Sequence, residues 1–591
     1  MNQEISELTN KELSQPQYSM KIGGIDVMVP MRDGTRLAID IYRPDAEGKF
    51  PALLSLGTHN KVMQSPTIWE ACRNQPGDSA IAPPGARAGD SKFWATRGYV
   101  HVIANIRGVG NSDDGDPGKD GKFDAYDLIE WMAAQPWCDG NVGMTGMSSY
   151  GRQQMLAARN PSPHLKAIFP YSPGHMLKNQ VYPGGVLHCE HYQSICSHVT
   201  GKAYKDVELT PEEEQLWEEA LANPDFRMYA HIYNIVERKG QHNKRFYNAM
   251  TNPYESEDYG SRLDDLKDIK VPMYTGTGWY GYTYKTHLQG MFNYWRYITD
   301  NPNMKMVMTP LARDRRPWIG MNDELLRWFD YWLKGVDTGI MDEPPIKLFV
   351  NGANKYRYTD QWPLKETQWT KLYLDSWEKL RWNEFVPGSN DGIEQPDAFL
   401  QMPLNLTSKV QKLRYVTDPL PDDLEITGPI SFHFWAEIDQ DDTNWIITIK
   451  DLGPDVAVER TKKTQPGWPD LFEQEITRGW LKASHRYVDE ERSRTGQPFH
   501  PLTRSKQEKV APGEVVKYDV EIMPTSTVFK QNHRIVVEIS AMDVPSGGNG
   551  ISANQSQPYH VCSSKTTVHK VYRGQQYPSH LLLPVIPDPI K

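Results

Sequence analysis

The sequence predicts an α/β domain with a mostly parallel sheet, a helical insertion within that domain, and an all-β domain at the C-terminal end. Up to about residue 343, short apolar segments alternate with stretches of helical periodicity, which is typical of a parallel sheet with helices on both faces. From Pro344 onward, strand-like segments are separated by Gly, Pro and Asp turns. The chain has 591 residues, more than one core usually organises, so we expect about two to four domains.

The first elements are short strands joined by tight turns. Met31 to Thr35 is a turn between two strands, and Pro51 to Leu56 is a short apolar strand. The strand Tyr99 to Ile106 runs into the segment Arg107 to Ser112. That segment lacks the third glycine and the helix start of a phosphate-binding loop, so it predicts a structural turn and no nucleotide site.

The most informative segment runs from Val142 to Gly151. It has the pattern of a strand that enters a serine held between glycines and continues as a helix, which is the pattern of a nucleophile elbow. A helical stretch from Phe123 and a break at Gln135 to Gly140 precede it, and a helix to Arg159 follows it. Helix, turn, strand, elbow and helix in this order form the core unit of an α/β-hydrolase.

Two serines compete for the nucleophile position. The elbow needs small residues two positions before the nucleophile and two or three after it, because the strand and the helix nearly touch there. Ser148 has Gly146 two before it and Gly151 three after it. Ser149 has Met147 where the turn needs a small residue. We therefore assign the nucleophile to Ser148.

A helical insertion is expected between the strand Leu165 to Tyr171 and the strand Val271 to Thr275. Helical periodicity within it covers Pro211 to Ala222 and Phe226 to Arg238. The strands expected in the all-β domain are Lys347 to Val350, Ile430 to Ala436, Trp445 to Lys450, Val516 to Glu521 and Arg534 to Ile539.

Composition is that of a globular enzyme. Hydrophobic residues make up 38% of the chain, and no apolar run approaches the roughly 20 residues that a membrane helix needs. The first 21 residues are polar and the five cysteines are scattered, which favours a cytoplasmic protein with reduced thiols. The net charge of −10 is spread along the chain and argues against a nucleic-acid partner. We expect a small-molecule substrate, no membrane partner, and leave self-association into a homo-oligomer open.

Together these motifs resemble those of the cocaine esterase and X-prolyl dipeptidyl aminopeptidase family of serine hydrolases, from about Gly24 onward. The resemblance is carried by Met31 to Thr35, Arg107-Gly108 with Gly110 and Ser112, Gln135-Pro136-Trp137, the elbow, and Leu326 to Gly335. It implies an α/β-hydrolase domain at residues 1–174 and 267–343, a helical cap at 175–266 and a jelly-roll β-sandwich at 344–591. His485 and His533 lie in segments that resemble jelly-roll signatures, so both are expected to be structural.

The resemblance implies a Ser-His-Asp triad, from which this sequence departs. The family aspartate follows Gly-Trp-Tyr, and the residue after Tyr280 is Gly281. The segment that matches the family histidine contains Arg313 and no histidine. Arginine stays protonated near neutral pH and is no general base. His287 lies more than a helical turn beyond Gly281, and this separation argues against it as the replacement, so it stays a reserve candidate only. We expect a non-standard base.

His59 is the main candidate to take over the role of the missing triad histidine. It occupies the position where the family carries a tyrosine that completes the oxyanion hole with the amide of the residue after the nucleophile, here Ser149. His59 would either donate to an oxyanion or act as an acid or base on the substrate. Asp314, beside Arg313, is either a carboxylate that enters the site or a member of a surface ion pair.

A segment at the start of the insertion is expected to line the substrate pocket. The expected pocket residues are Trp279, Tyr280, Tyr182, His188, His191 and Tyr192. The cluster His188-Cys189-Glu190-His191, with Cys196 and His198, offers metal ligands but matches no zinc spacing. We therefore expect no metal and no cofactor.

Three functions follow from these residues. The first is acyl transfer, in which Ser148 hydrolyses a small ester or amide with a base other than the usual histidine. The second is a repurposed, non-hydrolytic enzyme, such as a lyase or cyclase, that uses His59 and Arg313 on an anionic substrate. The third is an inactive binding homologue. Retention of Ser148 favours the first over the third.

Overall fold

In the computed structural model the chain forms two large sheets with helices around the first. The structure describes residues 13–73, 87–115, 121–174, 181–188, 208–237, 248, 250–279, 282–310, 317–383, 395–453, 473–543 and 560–590. Within these ranges no helix is both long enough and apolar enough to cross a membrane.

The first sheet has ten strands. They are β1 Met20–Pro30, β2 Arg36–Pro44, β3 Phe50–Gly57, β4 Val100–Asn105, β5 Cys138–Met147, β6 Leu165–Tyr171, β7 Met273–Gly278, β8 Met304–Thr309, β9 Ile346–Val350 and β10 Lys355–Thr359. Their spatial order is β1-β2-β4-β3-β5-β6-β7-β8-β9-β10. Pairing is parallel from β4 to β9 and antiparallel at both ends of the sheet. The predicted mostly parallel sheet is therefore present.

Helices cover both faces of this sheet. The helices of the described chain include α1 Pro66–Arg73, α2 Ser91–Thr96, α3 Asp124–Ala133, α4 Ser149–Arg159, α5 Pro211–Ala222, α6 Pro224–Arg227, α7 Ala230–Glu237, α8 Tyr259–Asp264, α9 Tyr282–Tyr297 and α10 Pro317–Lys334. Successive side chains of a strand point to opposite faces. Leu54 of β3 packs with α3 and α4, whereas its neighbour Leu53 packs with α2 and α10.

The helical insertion lies between β6 and β7, as expected. Helix α5 spans Pro211–Ala222, as predicted, and begins with a capping box in which Thr210 and Glu213 each accept from the other's backbone amide. The second predicted helix, Phe226 to Arg238, is instead two helices, α6 and α7, that are interrupted between Arg227 and Ala230. Its apolar periodicity continues across the break, so the pattern alone did not indicate the interruption.

The second sheet has eleven strands. They are β11 Gln368–Asp375, β12 Lys379–Arg381, β13 Asp397–Gln401, β14 Lys412–Val416, β15 Leu424–Ile438, β16 Asn444–Leu452, β17 Glu473–Lys482, β18 Val516–Phe529, β19 Arg534–Ser540, β20 Thr567–Tyr572 and β21 His580–Ile586. Their order is β13-β20-β15-β18-β17-β16-β19-β14-β12-β11-β21, and β15 also pairs with β21, which joins distant parts of the sheet. The C-terminal part is thus mostly β.

Strands β9 and β10 follow the predicted domain boundary at residue 344 but belong to the first sheet. Strand β9 pairs in parallel with β8, with Met306 opposite Ile346, and β10 extends the same sheet. The first sheet therefore continues to Thr359. Alternation along β9 and β10 indicates strands correctly, but strand patterning does not tell which sheet a strand joins.

Arg107 links two of the sequence motifs through ion pairs. Its buried guanidinium pairs with Asp33 of the first turn and donates to Asp124 of α3 at 2.6 Å. Hydrogen bonding from Arg107 lowers the pKa of Asp33 to about 2, whereas burial raises the pKa of Asp124. The turn at Met31 to Thr35 and the segment after β4 are therefore held by one buried cation.

Arg107→Ala is expected to lower the free energy of unfolding by about 3–5 kcal/mol, because it leaves the buried carboxylate of Asp124 without its partner. Urea unfolding followed by circular dichroism measures this. Arg32→Ala is the matched control, since Arg32 lies in the same turn and pairs with Asp127 at 2.6 Å, but its side chain is 48% exposed. The control should lose no more than about 1 kcal/mol. Equal losses for the two variants would contradict a special role for Arg107.

Candidate active site

The backbone at Ser148 has the strained conformation of a nucleophile elbow. Strand β5 ends at Met147 and helix α4 begins at Ser149, so Ser148 alone forms the turn. Its φ is 59° and its ψ is −116°, a region that residues other than glycine rarely occupy. The Ser148 amide donates to the Tyr171 carbonyl of β6 at 3.0 Å. This strain places the half-buried Ser148 side chain at the carboxyl end of the sheet.

The glycines around Ser148 allow the strand and helix to approach. A Cβ at Gly146, where φ is 127°, would lie 2.5 Å from the Tyr150 Cβ. A Cβ at Gly151 would lie 2.9 Å from the Tyr171 carbonyl oxygen. Both distances are too short for a side chain. The spacing argument that favoured Ser148 over Ser149 therefore agrees with the packing.

His287 lies beside Ser148, contrary to the expectation from its sequence position. Its Nε2 is 3.4 Å from Ser148 Oγ, and its side chain is 4% exposed. Helix α9 begins directly after β7, which is separated from β5 only by β6. Strands are spaced by about 4.8 Å, and six helical residues rise only about 9 Å, so α9 reaches the elbow. The distance argument against His287 was therefore wrong.

A histidine at this distance is placed to act as a general base. Separations slightly above 3.2 Å are common between catalytic groups before substrate binds. One sequence signal pointed here: His287 is the only histidine between Gly278 and Pro310. Five predicted residues of this site lie outside the described part of the chain. They are Arg313, Asp314, Tyr280, His191 and Tyr192.

His59 follows β3 and contacts the residue next to the nucleophile. Its Nδ1 lies 3.1 Å from Ser149 Oγ. The Thr58 amide donates to the same hydroxyl at 3.5 Å, so the hydroxyl proton of Ser149 is free to point at Nδ1. Burial, and then the charge of Arg87, lower the pKa of His59 to about 3, so the ring is neutral at pH 7. A neutral ring that accepts at Nδ1 carries its proton on Nε2.

The loop that carries His59 is held by buried polar contacts. The His59 carbonyl accepts from Asn105 Nδ2 at 2.7 Å and from the Tyr150 hydroxyl at 3.1 Å. Two residues later, the buried ammonium of Lys61 pairs with Asp40 and Asp26, each at 2.6 Å. These bonds connect the loop to β2, β4 and α4. His59 therefore occupies a defined position relative to the elbow.

The structure contradicts part of the predicted pocket. Trp279 is fully buried and its indole donates to the Phe349 carbonyl at 2.6 Å, so it belongs to the core. His188 is also fully buried, and its ring packs on the His560 ring at 4.8 Å. A side chain without exposed surface makes no contact with a substrate from solution, so both predictions were wrong. Tyr182 lines a cavity between the insertion and the second sheet, and Ser148 is not in that lining.

A second Ser-His-Asp arrangement lies in the C-terminal part. Ser431 Oγ is 2.8 Å from His433 Nε2, and His433 Nδ1 is 2.5 Å from Asp519. Ser431 is fully buried and lies on a regular strand, β15, so its hydroxyl has neither access to substrate nor an elbow. These two distances alone therefore do not make an active site.

Comparisons with known proteins agree with this architecture. Residues 33–312 match the X-Pro dipeptidyl-peptidase (S15 family) model, and residues 338–582 match the X-Pro dipeptidyl-peptidase C-terminal non-catalytic domain. Cocaine esterase from Rhodococcus sp. (strain MB1 Bresler) is 25% identical, over 95% of this chain and 98% of its own. The chain belongs to the cocaine esterase and X-Pro dipeptidyl-peptidase family.

Other similar proteins cover the chain to a similar extent. A putative serine esterase of Mycobacterium bovis is 22% identical over 94% of both chains. The structure of a CocE/NonD family hydrolase from Staphylococcus aureus superposes with a TM-score of 0.70 at 22% identity, covering 96% of this chain and 93% of that one. An aminopeptidase from a Thaumarchaeota archaeon gives a TM-score of 0.71 at 17% identity, covering 98% of both. These likenesses support the fold of both parts.

In this chain the histidine beside Ser148 lies on a different element from the one that the resemblance implied. The resemblance implied a histidine after β8, where this sequence has Arg313. The histidine next to Ser148 is supplied instead by α9, which follows β7.

Proposed function

We propose that this protein is a serine hydrolase that cleaves small esters or amides through an acyl-enzyme on Ser148. The observation that carries the proposal is the strained backbone of Ser148 together with the 3.4 Å approach of His287 Nε2 to its hydroxyl. A half-buried, strained serine with an adjacent imidazole is the arrangement that nucleophilic catalysis requires. The names of the family members, which are esterases and dipeptidyl-peptidases, support the same reaction class.

His287 moves the proton in each half of the reaction. Ser148 Oγ attacks the substrate carbonyl while Nε2 of His287 accepts the hydroxyl proton. Collapse of the tetrahedral intermediate breaks the bond to the leaving group, which takes that proton from His287. A water molecule then repeats the sequence on the acyl-enzyme, and the acid is released with Ser148 restored.

The oxyanion is stabilised by two donors on opposite sides of the elbow. The Ser149 amide is the first N–H group of α4, where backbone N–H groups and the helix dipole favour negative charge. His59 supplies the second donor from Nε2 in the tautomer whose Nδ1 accepts from the Ser149 hydroxyl, 3.1 Å away. We further propose that the insertion of α5 to α8 is the cap of this site and that the closed second sheet is a jelly-roll.

Incubation with a fluorophosphonate, followed by intact-mass analysis, tests this proposal. We expect one adduct per chain on Ser148 and none on the Ser148→Ala variant. Ser431→Ala is the matched control and should label like the parent protein, since Ser431 has a histidine partner but no access. Absence of an adduct on folded protein would overturn the proposal and favour non-hydrolytic chemistry through His59 and Arg313.

His59→Ala is expected to lower kcat by about 10²–10³-fold with little change in KM, as loss of one oxyanion donor does. The amide of Gln places an N–H near the former Nε2, whereas that of Asn places it near Nδ1. His59→Gln should therefore retain more activity than His59→Asn, which steady-state kinetics measures. Because the pKa of His59 is about 3, the acid limb of the pH profile should be the same in His59→Gln. A shifted acid limb, or equal losses for Gln and Asn, would contradict the donor role.

A further inference from the structure

Asn105, the last residue of β4, bonds to the two peptide groups that follow His59. Its Nδ2 donates to the His59 carbonyl at 2.7 Å, and its Oδ1 accepts from the Lys61 amide at 3.1 Å. The side chain is fully buried. Only this orientation of the amide satisfies both bonds, because the nitrogen must face the carbonyl and the oxygen must face the N–H group. One side chain therefore fixes the backbone after His59 at two points.

The proposed oxyanion donor depends on how this backbone is held. A donor is effective when it lies about 2.7–3.1 Å from the position of the oxyanion. His59 lies in the loop that follows β3, and loops are more mobile than the elements that they connect. The position of the His59 imidazole is thus set by the contacts of its loop, and a small displacement of the loop moves the donor out of range.

The turn after β4 supports Asn105 in turn. The Ser112 hydroxyl donates to the Asn105 carbonyl at 2.9 Å and accepts from the Ala38 amide of β2, also at 2.9 Å. Gly110 lies against the Asn105 side chain, where a Cβ would be 2.6 Å from Oδ1. Its φ of 56° also favours glycine. The segment Arg107 to Ser112, to which the sequence assigned no chemistry, therefore leaves room for the Asn105 amide and holds its backbone.

We propose that Asn105 is a positioning residue for the hydrolysis, which holds the loop so that the His59 imidazole reaches the oxyanion. The turn from Arg107 to Ser112 supports Asn105 in this role. The inference rests on the proposed function, in which His59 is an oxyanion donor. Asn105 is buried behind the loop and acts through His59 without touching the substrate. Its loss weakens an interaction made only in the transition state, so it lowers kcat and leaves KM.

Asn105→Ala is expected to lower kcat for a chromogenic ester by about 10–100-fold with little change in KM, because a shift of about 1 Å in an active-site group costs up to about 100-fold. Asn105→Asp, when ionised, keeps the acceptor but has no donor for the His59 carbonyl, so its loss should be similar. Asn301→Ala is the matched control. Asn301 is also buried and bonds to one carbonyl at 2.8 Å and one amide at 3.0 Å, in the loop before β8. Its kcat should stay within about 2-fold of the parent.

Two glycine variants keep the test valid where Asn105→Ala fails to fold. Gly110→Ala introduces the Cβ that displaces the Asn105 amide and should lower kcat by about 10-fold. Gly335→Ala is its control, because Gly335 has a similar φ of 67° but no atom within 4 Å of the added Cβ. The control has the same backbone strain without the displacement, and its kcat should stay within about 2-fold of the parent. Equal losses in the two variants would contradict the proposal.

Two further measurements distinguish positioning from a merely structural role. In the His59→Ala background, Asn105→Ala should lower kcat little further, since it acts through the side chain that is already absent. Hydrogen exchange followed by mass spectrometry should show faster exchange of residues 58–64 in Asn105→Ala than in the parent or in Asn301→Ala. Losses that add in the double variant, or exchange that Asn105→Ala leaves unchanged, would overturn the proposal.

Fluorophosphonate labelling separates failure of this inference from failure of the proposed function. A parent protein that labels on Ser148, together with an Asn105→Ala variant that keeps full kcat, would contradict the role of Asn105 alone. A parent protein that does not label would contradict the serine hydrolase, and this inference with it.

Discussion

Ser148→Ala is expected to lower kcat/KM for an activated ester by about 10⁴-fold or more, because it removes the atom that forms the acyl-enzyme. Residual turnover should come only from the oxyanion donors and substrate binding. Stopped-flow and steady-state kinetics with a chromogenic ester measure the loss and also report whether the acyl-enzyme burst disappears. Circular dichroism establishes that the variant is folded.

Two further serine variants test whether the loss of activity is specific to Ser148. Ser431→Ala removes the hydroxyl of a Ser-His-Asp arrangement that has comparable distances but is fully buried, and its kcat/KM should stay within about 2-fold of the parent. Ser149→Ala removes the partner of His59 Nδ1 and keeps the Ser149 amide, so its loss should be intermediate. Activity that survives Ser148→Ala but falls in His59→Ala would exclude the acyl-enzyme and favour a repurposed site.

His287→Ala is expected to lower kcat/KM nearly as much as Ser148→Ala, by about 10⁴-fold, because a serine without a base is a weak nucleophile at neutral pH. The double variant should lose little more than either single variant, since the two side chains act as one unit. The rate of fluorophosphonate labelling should fall with kcat/KM. The pH profile of His287→Ala should lose its acid limb, because the group that produces this limb is absent.

His533→Ala is the matched histidine control. His533 is bonded to Asp451 at 2.8 Å in the C-terminal part, so its loss should leave the rate unchanged. His287→Gln, which keeps a similar volume, separates loss of the base from loss of packing, and it should be as inactive as His287→Ala. Normal labelling of Ser148 in both His287 variants would show that another group is the base.

Local patterns predicted the elements of the first sheet with good accuracy. The strand from Leu165 to Tyr171 and the helix from Pro211 to Ala222 have the predicted ends, because apolar periodicity and helix caps are encoded by residues close together in the chain. The elbow was recognisable for the same reason. Its glycines are required by contacts within a few residues of Ser148.

Contacts between residues far apart in the chain could not be predicted from local patterns. The membership of β9 and β10 in the first sheet depends on pairing with β8, and no residue within those strands encodes which sheet they join. Trp279 has the same sequence signature as a pocket aromatic, and only packing against Phe292 and Trp362 makes it a core residue.

The sequence by itself determined the family and the elbow with Ser148 at its turn, since these depend on local backbone strain and on residues adjacent in the chain. The tertiary structure decided which histidine stands next to Ser148 and which ring nitrogen of His59 faces the Ser149 hydroxyl. Those contacts join residues 139 and 90 positions apart, and they follow from the order of β5, β6 and β7 and from the direction of α9. Separation along the chain carries no information about such distances, because a parallel sheet brings the carboxyl ends of its strands together at one edge.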